Sequence, residues 1–473
     1  MIEATHAREA PRSSSLPSRW NGRPALTAFV LAFTGTLIVA LTQGPKLFYG
    51  DSGNYWELAS TFTHNGHFSL LNFESPARGY ALPLMIYVLR ALGEGVRWTD
   101  SSVAKLFNVA LFALIGAVLA PRLAQTIWPR QRWSLLRRIG LTALLIVFWS
   151  GDLSYPLSDF PGLALALLAL IAISRPDTPG WMLVAGAAAG LVIDVRAAYV
   201  PFLPMLLVIV ALIWFAQRGT QHASLARRAL CVALLAFGFA AVSLPQSLSA
   251  HRHLGTWSFI PGRPEDLARE HFEMGMYSQR YDTFVSHGEG YQVIYIDHTG
   301  LRILEEQPHG EIKTLSEYIG VVIDHPVAMA ALLARHVLNG LDMRYSTVYV
   351  EHLDSGGLLW LRLAGFLLVF LALVRVLWPA ARRSLGPTRW RYVIALLLCC
   401  LTSVFTAIET RYMLPAWLLA YMLVLAPAWP SPINHDKVGA RRFQTAAILA
   451  VAYLVYMAVV WHVVSAATAR VLS

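Results

Sequence analysis

Residues 25–43 read ALTAFVLAFTGTLIVALTQ, a run without one charged side chain, and residues 44–59 follow at once as GPKLFYGDSGNYWELA. Wound as a helix rising about 1.5 Å per residue, the first segment is long enough to cross the roughly 30 Å hydrocarbon core of a bilayer. It is too long for the apolar region of a signal peptide and no small-residue cleavage site follows it, so it is expected to remain as a first span. Further apolar runs lie near residues 101–121, 138–150, 159–174, 180–194, 197–216, 229–249, 358–378, 391–408, 412–428 and 443–464. The sequence therefore predicts an all-α, polytopic integral membrane bundle of about eleven spans with external juxtamembrane helices.

The composition agrees: 56% of the 473 residues are hydrophobic and only 14% are charged, against about 25% charged in soluble domains. The net charge of +10 does not point to nucleic acid, because the basic residues form no single patch or stripe and sit instead in short links between apolar runs. They read as topology signals. Arg8, Arg12, Arg19 and Arg23 precede the first span, and Arg122, Arg130, Arg132, Arg137 and Arg138 fill the link after the second. Arg218, Arg227 and Arg228, then Arg382, Arg383 and Arg389, then Lys437, Arg441 and Arg442 repeat the pattern. Positive residues are retained in the cytoplasm, which places the N-terminus inside and the C-terminus outside. Cys231, Cys399 and Cys400 lie in or beside apolar runs, offering neither a disulfide framework nor a cysteine zinc site.

This divides the chain into a cytoplasmic tail (1–24), an N-terminal transmembrane module (25–249) containing a first external loop (44–100), an external region (250–357) and a C-terminal transmembrane module (358–473). In the first loop, residues 80–92 (YALPLMIYVLRAL) are apolar but too short to span, and are expected as a juxtamembrane helix. The external region carries nine of the fifteen histidines and a stretch at 325–341 with helical apolar spacing, expected to lie on the membrane or to cap a cavity. No repeat of 20 to 50 residues is visible.

The charged residues at the external helix ends are the candidates for chemistry. Asp51 stands just outside the first span, where a carboxylate can meet both a lipid headgroup and a water-borne hydroxyl; it can also simply cap the next helix. Arg78, at the mouth of the juxtamembrane helix, can grip phosphate bidentately or snorkel to headgroups. Arg196 and Arg411 end apolar runs, where ionisable groups are costly and usually face a cavity or a partner; Asp194 and Glu409 are the adjacent pairing candidates. Asp152 and Asp159 offer two more carboxylates in the link 151–159, Asp159 also reading as an N-cap ahead of Pro161. Glu74 is a further acidic candidate in the first loop. His251 and His253 are a close pair without the spacing of a known zinc motif.

In order and spacing these segments resemble the GT-C-fold membrane glycosyltransferases, the group that includes protein mannosyltransferases and aminoarabinose transferases. Asp51-Ser52-Gly53-Asn54-Tyr55-Trp56 resembles their first external loop, and Arg78-Gly79-Tyr80-Ala81-Leu82-Pro83 the R-x-P-G-Y-P segment after it. Val195-Arg196-Ala197 is similar to their internal Arg-Pro segment, and Glu409-Thr410-Arg411-Tyr412-Met413-Leu414-Pro415 to their late E-x-R-Y-x-x-P motif. The resemblance covers roughly residues 25–430 and implies transfer of a sugar from a polyprenyl-phosphate carrier to an acceptor glycan, lipid or protein, with inversion. It implies Asp51 as base, Arg78, Arg196 and Arg411 as ligands of the donor phosphate, Asp159, Asp152 or Glu74 as a second carboxylate, and Tyr55, Tyr80 and Tyr412 lining the substrate site. Many relatives carry an acidic pair where this chain has Asp51 followed by Ser52 and Gly53, so a divalent cation is left open as a cofactor. The resemblance implies a bacterial inner membrane with the site on its periplasmic or extracellular face. A polysaccharide polymerase or O-antigen ligase, and a non-catalytic lipid or sugar transporter, are the alternatives; repeat symmetry with broken spans, which would favour the transporter, is not evident.

Overall fold

In the computed structural model the described residues are 22–75, 77–129, 132–216, 224–262, 264–286, 289–353, 358–377, 379–426, 438–466 and 470–472. The basic tail through Asn21, Arg130, Arg218 and Lys437 lie outside them. The predicted apolar runs fall on helices, as their Leu, Val, Ile and Ala content favours, although the run 391–408 breaks at Cys399 and Cys400 and is no longer helical after Phe405. Among the described residues, six helices are long and apolar enough to cross a membrane: Pro24–Thr42, Asp100–Ile127, Ala197–Phe215, Leu225–Leu254, Leu359–Leu377 and Ala447–Ser465. The bent pair Leu315–Asp324 and Pro326–Gly340, meeting at 112°, would make a seventh if counted as one span.

Asp159–Ile173, Pro179–Val195 and Thr410–Leu425 are apolar but shorter. Asp159–Ile173 has Leu163, Leu167 and Leu170 all fully buried, so protein rather than lipid surrounds it; a helix apolar on every side is at home in either solvent. Pro179–Val195 lies against Leu225–Leu254 through small residues: a Cβ added at Gly186 would strike the backbone at Leu235, and one at Gly238 the backbone at Leu183. Such close approach needs glycine. The outer face of Leu225–Leu254 exposes Leu230, Phe237 and Leu244.

The helix expected at 80–92 forms over Ala81–Gly95, and the stretch at 325–341 forms Pro326–Gly340. One part of the region 250–357 departs from the all-α expectation. Strands Ser278–Ser286 and Glu289–Ile296 pair antiparallel; Tyr349–Val350 adds in parallel to the first, and Arg470–Leu472 antiparallel to the second. The residues responsible, RYDTFV and YQVIYI, are rich in aromatic and β-branched side chains that suit a half-buried pleated surface. The last of these strands joins residues 470–472 to the sheet formed by the region 250–357.

Candidate functional site

The helix Gly50–Leu58 starts where Gly50 takes φ +42°, a conformation that favours glycine. Tyr49 is its N-cap residue: the Ser52 hydroxyl accepts from the Tyr49 N–H at 3.0 Å, and the Ser52 N–H donates to the Tyr349 hydroxyl at 3.1 Å. Asp51 is therefore not the cap. It sits in the first turn, and its carboxylate is held by side chains from two distant segments: Oδ1 accepts from Nη2 of Arg78, and Oδ2 from Nη2 of Arg411 at 2.7 Å.

Arg411 is the hub. It lies in the 3₁₀ turn Thr410–Met413, its Nε donates to Glu409 Oε2 at 2.5 Å, and its Nη1 stands 3.7 Å from Asp159 Oδ2. Asp159 in turn pairs with Nη1 of Arg196 at 2.8 Å, the residue that ends the helix Pro179–Val195 in extended conformation. Tyr412 lies between Arg196 and Arg411, whose guanidinium carbons are 5.0 and 5.2 Å from its ring centre. Arg78 stands 5.7 Å from the centre of the Tyr55 ring, so it turns inward rather than snorkelling to headgroups. Arg78, Arg196 and Arg411 thus interleave with Asp51, Asp159 and Glu409, joining five segments separated in the chain. Asp159 is the first residue of its helix, with Ser158 in the N-cap position, so its place is ion pairing rather than capping.

The network borders a cavity of ≈ 510 Å³, from whose lining Asp159 and Glu409 are set back. Asp51, Tyr55, Arg78, Arg196, Arg411 and Tyr412 line it, and Tyr349, Tyr281, Asn54 and Gln292 are among the other residues of its wall. Tyr281 and Thr283 are two apart on one strand, and Gln292 pairs in register with Thr283, so the sheet contributes one continuous face. Tyr281 and Tyr412 join through their hydroxyls. The sequence reading missed the sheet's contribution because its alternation is embedded in a polar loop. The available signal was the period-two run at 278–296, in which alternate residues share a face.

Several predicted positions fall elsewhere. Asp152 is buried and its Oδ1 accepts from the Val348 N–H at 2.9 Å, fixing the segment that carries Tyr349 rather than lining the cavity. Glu74 is 68% exposed, with His253 Nδ1 at 3.6 Å, and does not line the cavity either. Tyr80 points its hydroxyl to the Val242 carbonyl at 2.8 Å, tying the first loop to a spanning helix instead of lining the cavity. Asp194 lines the cavity but accepts from the Ala81 N–H at 2.6 Å instead of pairing with Arg196. His251 stacks on Trp257 and His253 lies 3.2 Å from the Leu71 carbonyl, so the two do not converge.

Burial alone would raise the Asp51 pKa, but the Arg411 and Arg78 guanidiniums outweigh it and hold the carboxyl well below the usual range. Burial pushes Glu409 up to about 7 despite its contact with Arg411, and the negative charges of Asp51 and Asp159 add to the rise. Among the described residues no group of three or more His, Cys, Asp or Glu side chains is arranged to hold a metal ion. Both Asp51 oxygens face guanidinium groups, a cationic environment that does not suit a divalent cation.

The turn carrying Arg78 is set by a glycine. A Cβ at Gly79 would run into the Asp194 backbone carbonyl and carboxylate, and Asp194 is itself bonded to Ala81. Gly79→Ala is expected to displace Arg78 from Asp51 and to destabilise the protein by about 1–3 kcal/mol, the usual cost of overpacking. Thermal unfolding in detergent measures this; an unchanged midpoint would show that the turn yields freely.

Compared with known proteins, the chain matches no family model and no curated sequence.

Proposed function

We propose that the protein is a membrane glycosyltransferase that moves a sugar from a polyprenyl-phosphate donor to an acceptor glycan, lipid or protein on the external face of a bacterial inner membrane. The observation carrying this reading is the convergence of Asp51 with three arginines around one cavity at the ends of apolar helices. Two guanidinium donors there, Nε of Arg78 and Nε of Arg196, are buried with no hydrogen-bond partner. Unsatisfied buried donors are costly, and an anionic ligand supplies what they lack. The cavity volume of ≈ 510 Å³ falls within the span usual for small-molecule sites, about 300–1,000 Å³. The eleven-span count and the outward orientation belong to this reading; the ends that the charged links assign to the outside are those that supply the site.

In the proposed reaction the acceptor O–H, or N–H of an amine, loses its proton to the Asp51 carboxylate as its heteroatom bonds to the anomeric carbon. The bond from that carbon to the phosphate oxygen breaks, its electron pair leaves with the polyprenyl phosphate, and the anomeric configuration inverts. Arg411, Arg196 and Arg78 stabilise the charge gathering on the phosphate. Tyr55, Tyr281, Tyr349 and Tyr412 offer ring faces and hydroxyls to the sugar.

Incubation of the purified protein with a panel of polyprenyl-phosphate hexoses and pentoses plus membrane extract is the test, with mass spectrometry following free polyprenyl phosphate and glycosylated products. At least one donor is expected to lose its sugar to an acceptor. Every donor remaining intact and unbound would overturn the proposal.

A further inference from the structure

The arginines that would hold the donor phosphate are the ones that hold the proposed base. Asp51 offers one oxygen to Arg78 and the other to Arg411. A carboxylate engaged by two guanidinium groups is a weak proton acceptor. Phosphate and carboxylate present the same pair of oxygens to the same planar N–H edge, so both cannot occupy one edge together.

The two arginines are tethered unequally. Arg411 is only 7% exposed and is anchored from behind by Glu409 at 2.5 Å. Arg78 is 32% exposed, is followed by Gly79, and has a buried Nε with no hydrogen-bond partner. Asp51 is itself 24% exposed on the cavity side. Arg78 can therefore turn from Asp51 to a ligand with little rearrangement, while Arg411 stays in its frame and shifts only the Nη edge it shows.

Resting on the reading of this cavity as the donor-phosphate site, we infer that the polyprenyl phosphate group and the Asp51 carboxylate compete for Arg78 and Arg411, so that donor binding itself releases the base. Without donor, Asp51 is masked by the two guanidiniums. With donor bound, the arginines turn to the phosphate and Asp51 is left facing the cavity to accept the acceptor proton. The donor therefore binds before the acceptor can react.

Competition makes an unusual prediction: removing the proposed base improves donor binding. The affinity for polyprenyl phosphate, the carrier without its sugar, is measured for the full-length protein in nanodiscs, in wild type, Asp51→Asn and Asp51→Ser. Each variant that elutes as the wild type does is expected to bind at least about tenfold tighter, the size of one charge-assisted hydrogen bond regained by the ligand. Two substitutions of different shape guard against one of them misfolding. Unchanged or weaker binding in the folded variants, with the wild type binding normally, overturns the exchange while leaving the proposed function intact. Absence of binding by the wild type and by both variants overturns the exchange and the phosphate site together.

Discussion

Asp51→Asn is expected to lower the rate of sugar transfer by about 10²- to 10⁴-fold, the usual contribution of a general base. Asn is nearly isosteric but cannot take the proton. The competing view, that Asp51 serves only as a helix cap, predicts almost no effect, because Asn and Asp rank together as caps; Tyr49, not Asp51, occupies the N-cap position. The measurement should be a single-turnover rate at saturating donor, since tighter retention of polyprenyl phosphate would slow product release and lower steady-state turnover by itself. A folded Asp51→Asn protein with a near wild-type single-turnover rate would remove the catalytic role and leave Asp51 as a partner of the arginines alone.

Arg411→Ala is expected to cost both stability and phosphate binding, because one guanidinium serves Asp51, Glu409 and Asp159 at once. Glu409 is 3% exposed, so removing Arg411 leaves its carboxylate buried without a counter-charge, whereas Asp159 keeps its closer pair with Arg196. Breaking such buried pairs typically costs about 3–5 kcal/mol; the partial exposure of Asp51 makes its own share the smaller part. The loss should depend on pH. Glu409 already titrates near 7 with Arg411 present, and without that guanidinium its proton is held more tightly still. The folded variant then keeps a proton that the unfolded chain releases at an ordinary carboxyl pKa, so its stability falls as pH rises through neutrality. Unfolding midpoints of wild type and variant between pH 5 and 8, in one detergent, should diverge with increasing pH. Arg411→Lys keeps the charge without the planar fork and should recover part of the stability but less of the affinity for polyprenyl phosphate. Equal affinity in wild type, Ala and Lys forms would rule Arg411 out as a phosphate ligand.

How far the sequence reached depends on whether a property is local. Apolar runs such as 25–43 and 443–464 specify helices by themselves, because length and the absence of charge settle how a backbone satisfies its hydrogen bonds in a membrane. Charged residues at the ends of such runs stand out for the same reason: Asp51, Arg78, Asp159, Arg196 and Arg411 were singled out by the cost of their positions and by the motifs around them; four of them meet in one cavity wall, and Asp159 joins them from behind through Arg196 and Arg411. The number of crossings was less legible. A run such as 159–174 is apolar all round whether it meets lipid or is enclosed by other helices, and only packing shows Asp159–Ile173 buried within the protein.

Partner choice was not legible either. Asp152 and Asp159 occupy one short link and look alike in sequence, yet one accepts from the Val348 backbone while the other joins Arg196 and Arg411. The strands at 278–296, 349–350 and 470–472 required segments far apart in the chain to find one another, and a short strand has no stability until its neighbours supply the other half of its hydrogen bonds. The same holds for the contact of Asp51 with Arg411. Helix formation and the cost of a charge near hydrocarbon are decided within a few residues, whereas the choice of guanidinium for each carboxylate is decided by which helix ends the tertiary fold brings within about 3 Å of one another.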